Sequence, residues 1–287
     1  MNEVDMISFA RSSTCLIKPV NTKSPFIMDR PVRIGAVSYL NTKPLVYGLA
    51  NQLPEAEIVF DLPSRLADAL ANRELDIALI PTVEYFQDPE YQIVSDACIA
   101  CRGEVYSVSL LSRCHSADIK TLALDEGSRT SAALVQILLK KRLGIVPELS
   151  PFPIGSELSQ LTTDAMLIIG DRAMHVDKSE FEETWDLGQA WVDWTGLPFV
   201  FAMWTARADL DFDLAPIEMA LSSARDEGVK HLSEIAASHA EQLGISRQQC
   251  EVYLKEHLYF YLGEQERQGQ ELFRQYVDQL SAVSQNG

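Results

Sequence analysis

Long apolar runs are missing from this chain, and so are most of the signatures that announce a metal or a cofactor. No segment reaches the roughly 18 consecutive apolar residues that a bilayer-spanning helix needs. The first thirty residues, MNEVDMISFARSSTCLIKPVNTKSPFIMDR, hold no uninterrupted apolar stretch of signal-peptide length and no small-residue cleavage site. A cytoplasmic location without membrane association is the expectation. Basic residues are scarce as well: 24 Lys and Arg stand against 41 Asp and Glu, for a formal charge of -17. Such a field repels phosphate backbones and anionic lipid, which argues against nucleic acid as a partner. A small anion is not excluded, because a pocket's local potential can oppose the global one.

The five cysteines are odd in number and irregular in spacing, which does not suggest a disulfide framework. Cys98 and Cys101 form a C-x-x-C, but inside an apparent strand and with no second pair, so they read as strand neighbours and not as a redox or zinc site. There is no G-x-G-x-x-G after a strand, no Walker loop, no H-E-x-x-H and no G-x-S-x-G. The five histidines are scattered, three of them in the last third of the chain. No metal site and no Ser-His-Asp triad is expected, and nothing in the pattern specifies an oligomeric state.

What is present is strand–helix alternation. Residues 32–37, 57–60 and 75–80 read as strands, with helices over 43–51 and 63–70 between them. This β-α-β-α-β order implies a parallel sheet with right-handed crossovers, whose ligands collect at the carboxyl ends of the strands. Two β-rich runs follow, 91–101 and 104–112, joined by Arg102-Gly103. Alternation restarts near 121, with strands at 121–124, 149–154, 166–170 and 199–204, and a strong helix after 131 that ends at Gly144. Asp171 is placed to cap a helix beginning at Arg172. Beyond Asp209 the pattern is helical to the end. Two α/β units with helices appended predict an α/β two-lobed clamshell with a helical C-terminal tail. Residues 31–110 with 205–287 form a discontinuous first domain, and 111–204 form an inserted second one. The chain crossings then fall near 105–115 and 200–207. Residues 1–30 read as a disordered polar extension, either a functional arm or the product of a start upstream of Met28.

Three stretches carry polar or aromatic groups beyond structural need. In VSYLNTKPL, residues 37–45, Ser38, Tyr39, Asn41 and Thr42 converge where the first strand hands over to a helix. An N-cap explains one of them, not four. In Gly127-Ser128-Arg129-Thr130-Ser131, three hydroxyls and an arginine sit at a helix N-terminus, where free N–H groups and the helix dipole suit an anion. A carboxylate fits better than a nucleotide phosphate, since a glycine-rich cradle is missing. Trp194-Thr195-Gly196-Leu197-Pro198-Phe199-Val200-Phe201 reads mainly as core at a domain crossover, or as an apolar wall or hinge for a ring-shaped ligand.

Taken together, RIGAVSYLNTKPLVYGL, LDIALIPTVEY, LDEGSRTSAALVQILL, the IGDRA at 169–173 and DLGQAWVDWTGLPFVFAMW resemble, in order, the chorismate dehydratases of menaquinone biosynthesis by the futalosine route. The resemblance covers residues 31–207. It implies a fold like type II periplasmic binding proteins. It also implies loss of water from chorismate, a small dicarboxylate, to leave 3-[(1-carboxyvinyl)oxy]benzoate. Because the ring becomes aromatic, the implied reaction requires neither metal nor redox cofactor. By this resemblance Asn41 would donate to the substrate, and Ser107 would match a family active-site serine, with Ser109 two residues along the same strand face as the alternative. Arg129, Thr130 and Ser131 would hold a carboxylate, and Ser38, Tyr39, Thr42, Ser128, Gly170 and Asp171 would complete the substrate contacts. No aspartate or histidine is an obvious base, which leaves a carboxylate of the substrate itself.

Two rival readings differ at identifiable features. A cytoplasmic binding protein or sensor for a small carboxylate would share the clamshell, yet no DNA-binding unit is visible. The sister enzyme that makes 1,4-dihydroxy-6-naphthoate would carry a cysteine-, proline- and aspartate-containing motif where this chain has Ser38-Tyr39-Leu40-Asn41-Thr42.

Overall fold

The computed structural model describes residues 30–284. Apart from Arg30, the extension expected over residues 1–30 lies outside the described residues. β1 (Arg33–Val37) is an almost wholly buried apolar run, as the centre of a parallel sheet requires. It leads into a 3-10 helix, Leu40–Val46, and then α1 (Leu49–Gln52). The single helix expected over 43–51 is therefore broken. Pro44, which has no N–H and whose ring crowds the preceding turn, lies inside the 3-10 piece, and Gly48 in the left-handed region (φ 67°) separates the two pieces.

The chain continues through β2 (Glu57–Asp61), α2 (Pro63–Ala71), β3 (Ile77–Pro81), α3 (Thr82–Tyr85) and β4 (Tyr91–Cys101). Then come β5 (Val108–Ser112), β6 (Thr121–Asp125), α4 (Arg129–Leu138), β7 (Glu148–Phe152), β8 (Ala165–Ile169), β9 (Glu183–Asp186) and α5 (Leu187–Thr195). β10 (Phe199–Arg207) is followed by α6 (Ala215–Lys230), α7 (Leu232–Leu243), α8 (Arg247–Val252), β11 (Tyr259–Tyr261) and α9 (Glu264–Ser284).

Among the described residues these strands form two sheets, ordered β11-β4-β10-β3-β1-β2 and β7-β6-β8-β5-β9. Each has a parallel trio centred on β1 or β6, extended by an antiparallel strand, β10 or β5. The chain passes from the first sheet to the second between Cys101 and Val108, and returns between Asp186 and Phe199. The two β-rich runs around Arg102-Gly103 thus belong to different sheets. The return lies earlier than 200–207, because β10 pairs with β4 from Phe199 to Arg207. The tail is not wholly helical: β11 adds an edge strand beside β4, Tyr259 opposite Ala100.

Cys98 and Cys101 are fully buried free thiols in β4, and burial pushes the Cys101 thiol up to about 12. They are inert core residues. The tail helices brace the first lobe from behind. A Cβ on Gly228 of α6 would lie 2.0 Å from the Pro44 carbonyl oxygen, and one on Gly269 of α9 would lie 2.1 Å from that of Pro198. Both contacts are backbone against backbone and cannot yield by a rotamer change. Gly228→Ala should therefore destabilise the fold by about 1–3 kcal/mol, the usual cost of overpacking. A clear fall in melting temperature is the expected result, and an unchanged melt would show that the 3-10 helix does not depend on α6.

Candidate active site

A small pocket of about 50 Å³ opens between the two sheets, well under the roughly 300–1,000 Å³ of open small-ligand sites, so a ring-sized ligand needs the walls to part. Its lining comes from the carboxyl ends of parallel strands, as the topology demands: Val37 of β1, Pro81 of β3, Ile169 of β8. Phe201 and Ala202 of β10 supply an apolar surface. Polar groups enter from Tyr39, Asn41, Ser107, Ser128 and Ser131. No Lys, Arg, Asp or Glu is among the described lining residues.

From the first lobe, Asn41 faces the cavity while its neighbours position it. Thr42 is fully buried and donates its hydroxyl to Asn41 Oδ1 at 3.3 Å. Ser38 is exposed, and its N–H extends the sheet by donating to Asp61 O at 3.0 Å. Tyr39 sends its ring across the cleft onto Gly170, where an added Cβ would meet ring carbons at 2.7–2.9 Å. Burial raises the Tyr39 ionisation well above the usual phenol value, helped by Asp125 and Asp171, so the hydroxyl stays neutral.

From the crossing segment, Ser107 is buried and lines the cavity; its carbonyl accepts the Gly170 N–H at 2.9 Å. Ser109 is fully buried in β5, with an unpartnered hydroxyl, and is not among the lining residues. Of the two serines on that face, Ser107 is the one at the cavity.

The α4 N-terminus divides its four polar residues between two tasks. Ser128 caps the helix, accepting the Ser131 N–H at 3.2 Å, and donates its own hydroxyl to Ser131 Oγ at 2.9 Å. Both serines line the cavity, beside backbone N–H groups that the first turn of any helix leaves unpaired. Arg129 and Thr130 turn the other way. Arg129 pairs with Asp68 of α2 at 2.8 Å and Glu84 of α3 at 3.2 Å, and Thr130 Oγ1 accepts the Val83 N–H at 3.1 Å. The guanidinium expected to hold a carboxylate instead ties α4 to the first lobe. Successive helical residues point about 100° apart, so one end of a helix can serve both faces.

Asp171 is also redeployed. It does not cap the short 3-10 helix Asp171–His175 in which it lies; its carboxylate accepts the Leu40 N–H from the other lobe at 3.1 and 3.2 Å. Burial raises its carboxyl above the ordinary range, opposed by that N–H and by Lys43, His175 and His239. Ser38, Thr42, Arg129, Thr130 and Asp171 therefore do not line the cavity. Four of the five fasten or orient the groups that do. Of the aromatic stretch 194–201, Phe201 alone lines it, while Trp194 stacks on Tyr276 of α9 with centroids 4.9 Å apart.

Two supports carried no local sequence signal. Buried Asp125, at the end of β6, accepts the Gly127 and Ile169 N–H groups at 2.9 and 3.1 Å and the Arg172 guanidinium, which locks together the two loops of the second lobe's wall. Tyr253, in the short turn after α8, is fully buried and donates its hydroxyl to Ser107 Oγ at 2.9 Å. A hydrogen bond to a charged acceptor contributes about 1.5–3 kcal/mol, and each 1.4 kcal/mol is tenfold. Asp171→Ala should thus speed hydrogen exchange at the Leu40 amide at least about tenfold. Unchanged protection there would remove Asp171 from its bridging role.

The model of the menaquinone biosynthesis family matches residues 32–279. A relative from Thermus thermophilus, named chorismate dehydratase, is 31% identical over 261 residues, covering 85% of this chain and 94% of its own. Among solved structures, protein AF1704 of Archaeoglobus fulgidus aligns with a TM-score of 0.68 at 16% identity, over 88% of this chain and 98% of its own. A Candida albicans protein described as having the generic periplasmic binding protein fold aligns with a TM-score of 0.55 at 14% identity, over 86% and 90%. At these identities the structural likeness shows the fold alone: an α/β, two-lobed, periplasmic-binding-protein-like architecture. With the family model running from the first residue before β1 well into α9, this chain belongs to the menaquinone biosynthesis family.

Proposed function

We propose that this protein is a carbon–oxygen lyase that removes water from chorismate to leave 3-[(1-carboxyvinyl)oxy]benzoate, a step of menaquinone biosynthesis by the futalosine route. Family membership and the name of the Thermus relative support the substrate. The observation that carries the reading is the convergence of Asn41, from the first lobe, and Ser107, from the crossing segment, on one cavity lined by neutral hydrogen-bond donors and apolar surface. A dianion is offered helix N–H groups and the Ser131 hydroxyl on one side, and Asn41 and Tyr39 on the other. An acidic protein can hold an anion this way, because these donors act at contact distance while the -17 charge is largely screened beyond about 8–10 Å.

The chemistry needs positioning more than strong acids or bases. The C3 proton moves to the enolpyruvyl carboxylate of the substrate. The C3–H electron pair becomes the new ring double bond, and the C4–O bond breaks with its pair on oxygen. The departing hydroxyl takes hydrogen bonds from Ser107 and Asn41 and leaves as water with the transferred proton. Aromatisation supplies the driving force. The two lobes, one built on each sheet with the chain crossing between Cys101 and Val108 and again between Asp186 and Phe199, act in this reading as bodies that part to admit substrate and close to exclude water.

Purified protein mixed with chorismate alone should yield an aromatic product lighter by one water. Tight binding without product would favour a sensor. Asn41→Ala and Ser107→Ala should each lower kcat by about 10²-fold, the usual cost of losing one transition-state donor, with the fold retained by circular dichroism. Wild-type rates in both would rule out this site. The side-chain amide of chorismate should not turn over, and undiminished turnover would reject the substrate carboxylate as base.

A further inference from the structure

Tyr253 lies about 150 residues downstream of Ser107 and more than 200 from Asn41, yet its hydroxyl sits between their side chains. It donates to Ser107 Oγ at 2.9 Å, and the Asn41 side chain lies near enough to the phenol to act on its ionisation. The ring is fully buried, 6.2 Å from that of Tyr106 between centroids, so it has a fixed seat. Counting protons orients the chain of bonds. A phenol has one proton, and here Ser107 receives it. Any bond between Asn41 and the phenol oxygen must then be donated by the Asn41 amide nitrogen. That assignment agrees with Thr42, whose hydroxyl donates to Asn41 Oδ1 and so marks that atom as the oxygen. Ser107 Oγ, having accepted the phenol proton, keeps its own for another acceptor, and its remaining open side is the cavity.

We infer that Tyr253 is a positioning residue: it makes Ser107 a hydrogen-bond donor into the cavity, aimed at the departing C4 hydroxyl, and holds the Asn41 amide beside it. The inference rests on the dehydration proposed above. Burial also pushes the Tyr253 ionisation far up, so the phenol remains protonated and the bond direction holds across the working pH range. Without this phenol, Ser107 could instead donate to Asn41 or rotate away, and the cavity would face a lone pair where the leaving hydroxyl needs a proton donor.

The test is a double-mutant cycle on Tyr253→Phe and Ser107→Ala, with wild type run in parallel. Tyr253→Phe keeps the ring and should lower kcat about 10-fold to 30-fold, with KM for chorismate changed less than about twofold, since the donor matters most as charge builds on the leaving oxygen. In the Ser107→Ala background the same change should cost less than about twofold. Equal losses in both backgrounds, a loss confined to KM, or a wild-type rate in Tyr253→Phe would each overturn the inference while leaving the dehydratase reading intact. A wild-type protein that gives no aromatic product overturns both. If Tyr253→Phe does not fold, Thr42→Val reads the other end of the same chain of bonds. A several-fold fall in kcat at constant KM is then expected, and an unchanged kcat refutes the oriented chain.

Discussion

Asp171 accepts the Leu40 N–H from across the cleft, and Gly170, one residue earlier, lets the Tyr39 ring lie against its backbone. The rest of the site hangs on that pair. Gly170 adopts φ 73°, a conformation that L side chains avoid, and its N–H donates to the Ser107 carbonyl. One turn after β8 therefore touches the start of the 3-10 helix, the Tyr39 ring and the Ser107 backbone together. Asn41 lies one residue past the N–H that Asp171 captures. Its place is set by a bond made in the opposite lobe.

Other contacts close the same seam. Arg129 reaches Asp68 and Glu84, and Thr130 takes the Val83 N–H. These are half-exposed or backbone interactions, each of modest strength. Several modest bonds at the rim are compatible with opening there, while the packing of Trp191 and Trp194 of α5 on Phe273 and Tyr276 of α9 holds the second lobe to the tail. The stronger organisation lies within each lobe, where Asp125 gathers two loops and α6 presses on Pro44 through a glycine. The catalytic chemistry proposed here asks for that division of labour: rigid walls that meet in one geometry, and a rim that releases a product.

Much of this is legible in the amino-acid sequence. Apolar periodicity placed the strands β1, β3, β6 and β8, and the strand-end rule for parallel sheets directed attention to Asn41 and to the α4 N-terminus. Ser107 came from resemblance alone, since one serine in a β-rich run has no pattern to set it apart from Ser109. What sequence could not show was direction. Arg129 and Ser131 share a helix turn, and only packing against α2 and α3 decides that one faces outward and the other in. Asp171 looked like a local cap because local hydrogen bonding is what sequence spacing predicts, and its partner is 131 residues away. Tyr253 was invisible for the same reason: a tyrosine in a helical tail is ordinary until the tail folds back onto the crossing segment. β11 was missed because three residues are too few to establish a period.

The central claim is that the fold brings Asn41 of the first lobe and Ser107 of the crossing segment onto one bound substrate. A crystal structure with 3-[(1-carboxyvinyl)oxy]benzoate tests it most directly. The account predicts the ligand between the lobes, against Phe201, with Asn41 Nδ2 and Ser107 Oγ about 3 Å from the ring edge that lost its hydroxyl. A carboxylate should rest at Ser131 and the first turn of α4. A ligand seated elsewhere, or held by Arg129 with Asn41 and Ser107 out of reach, would contradict it.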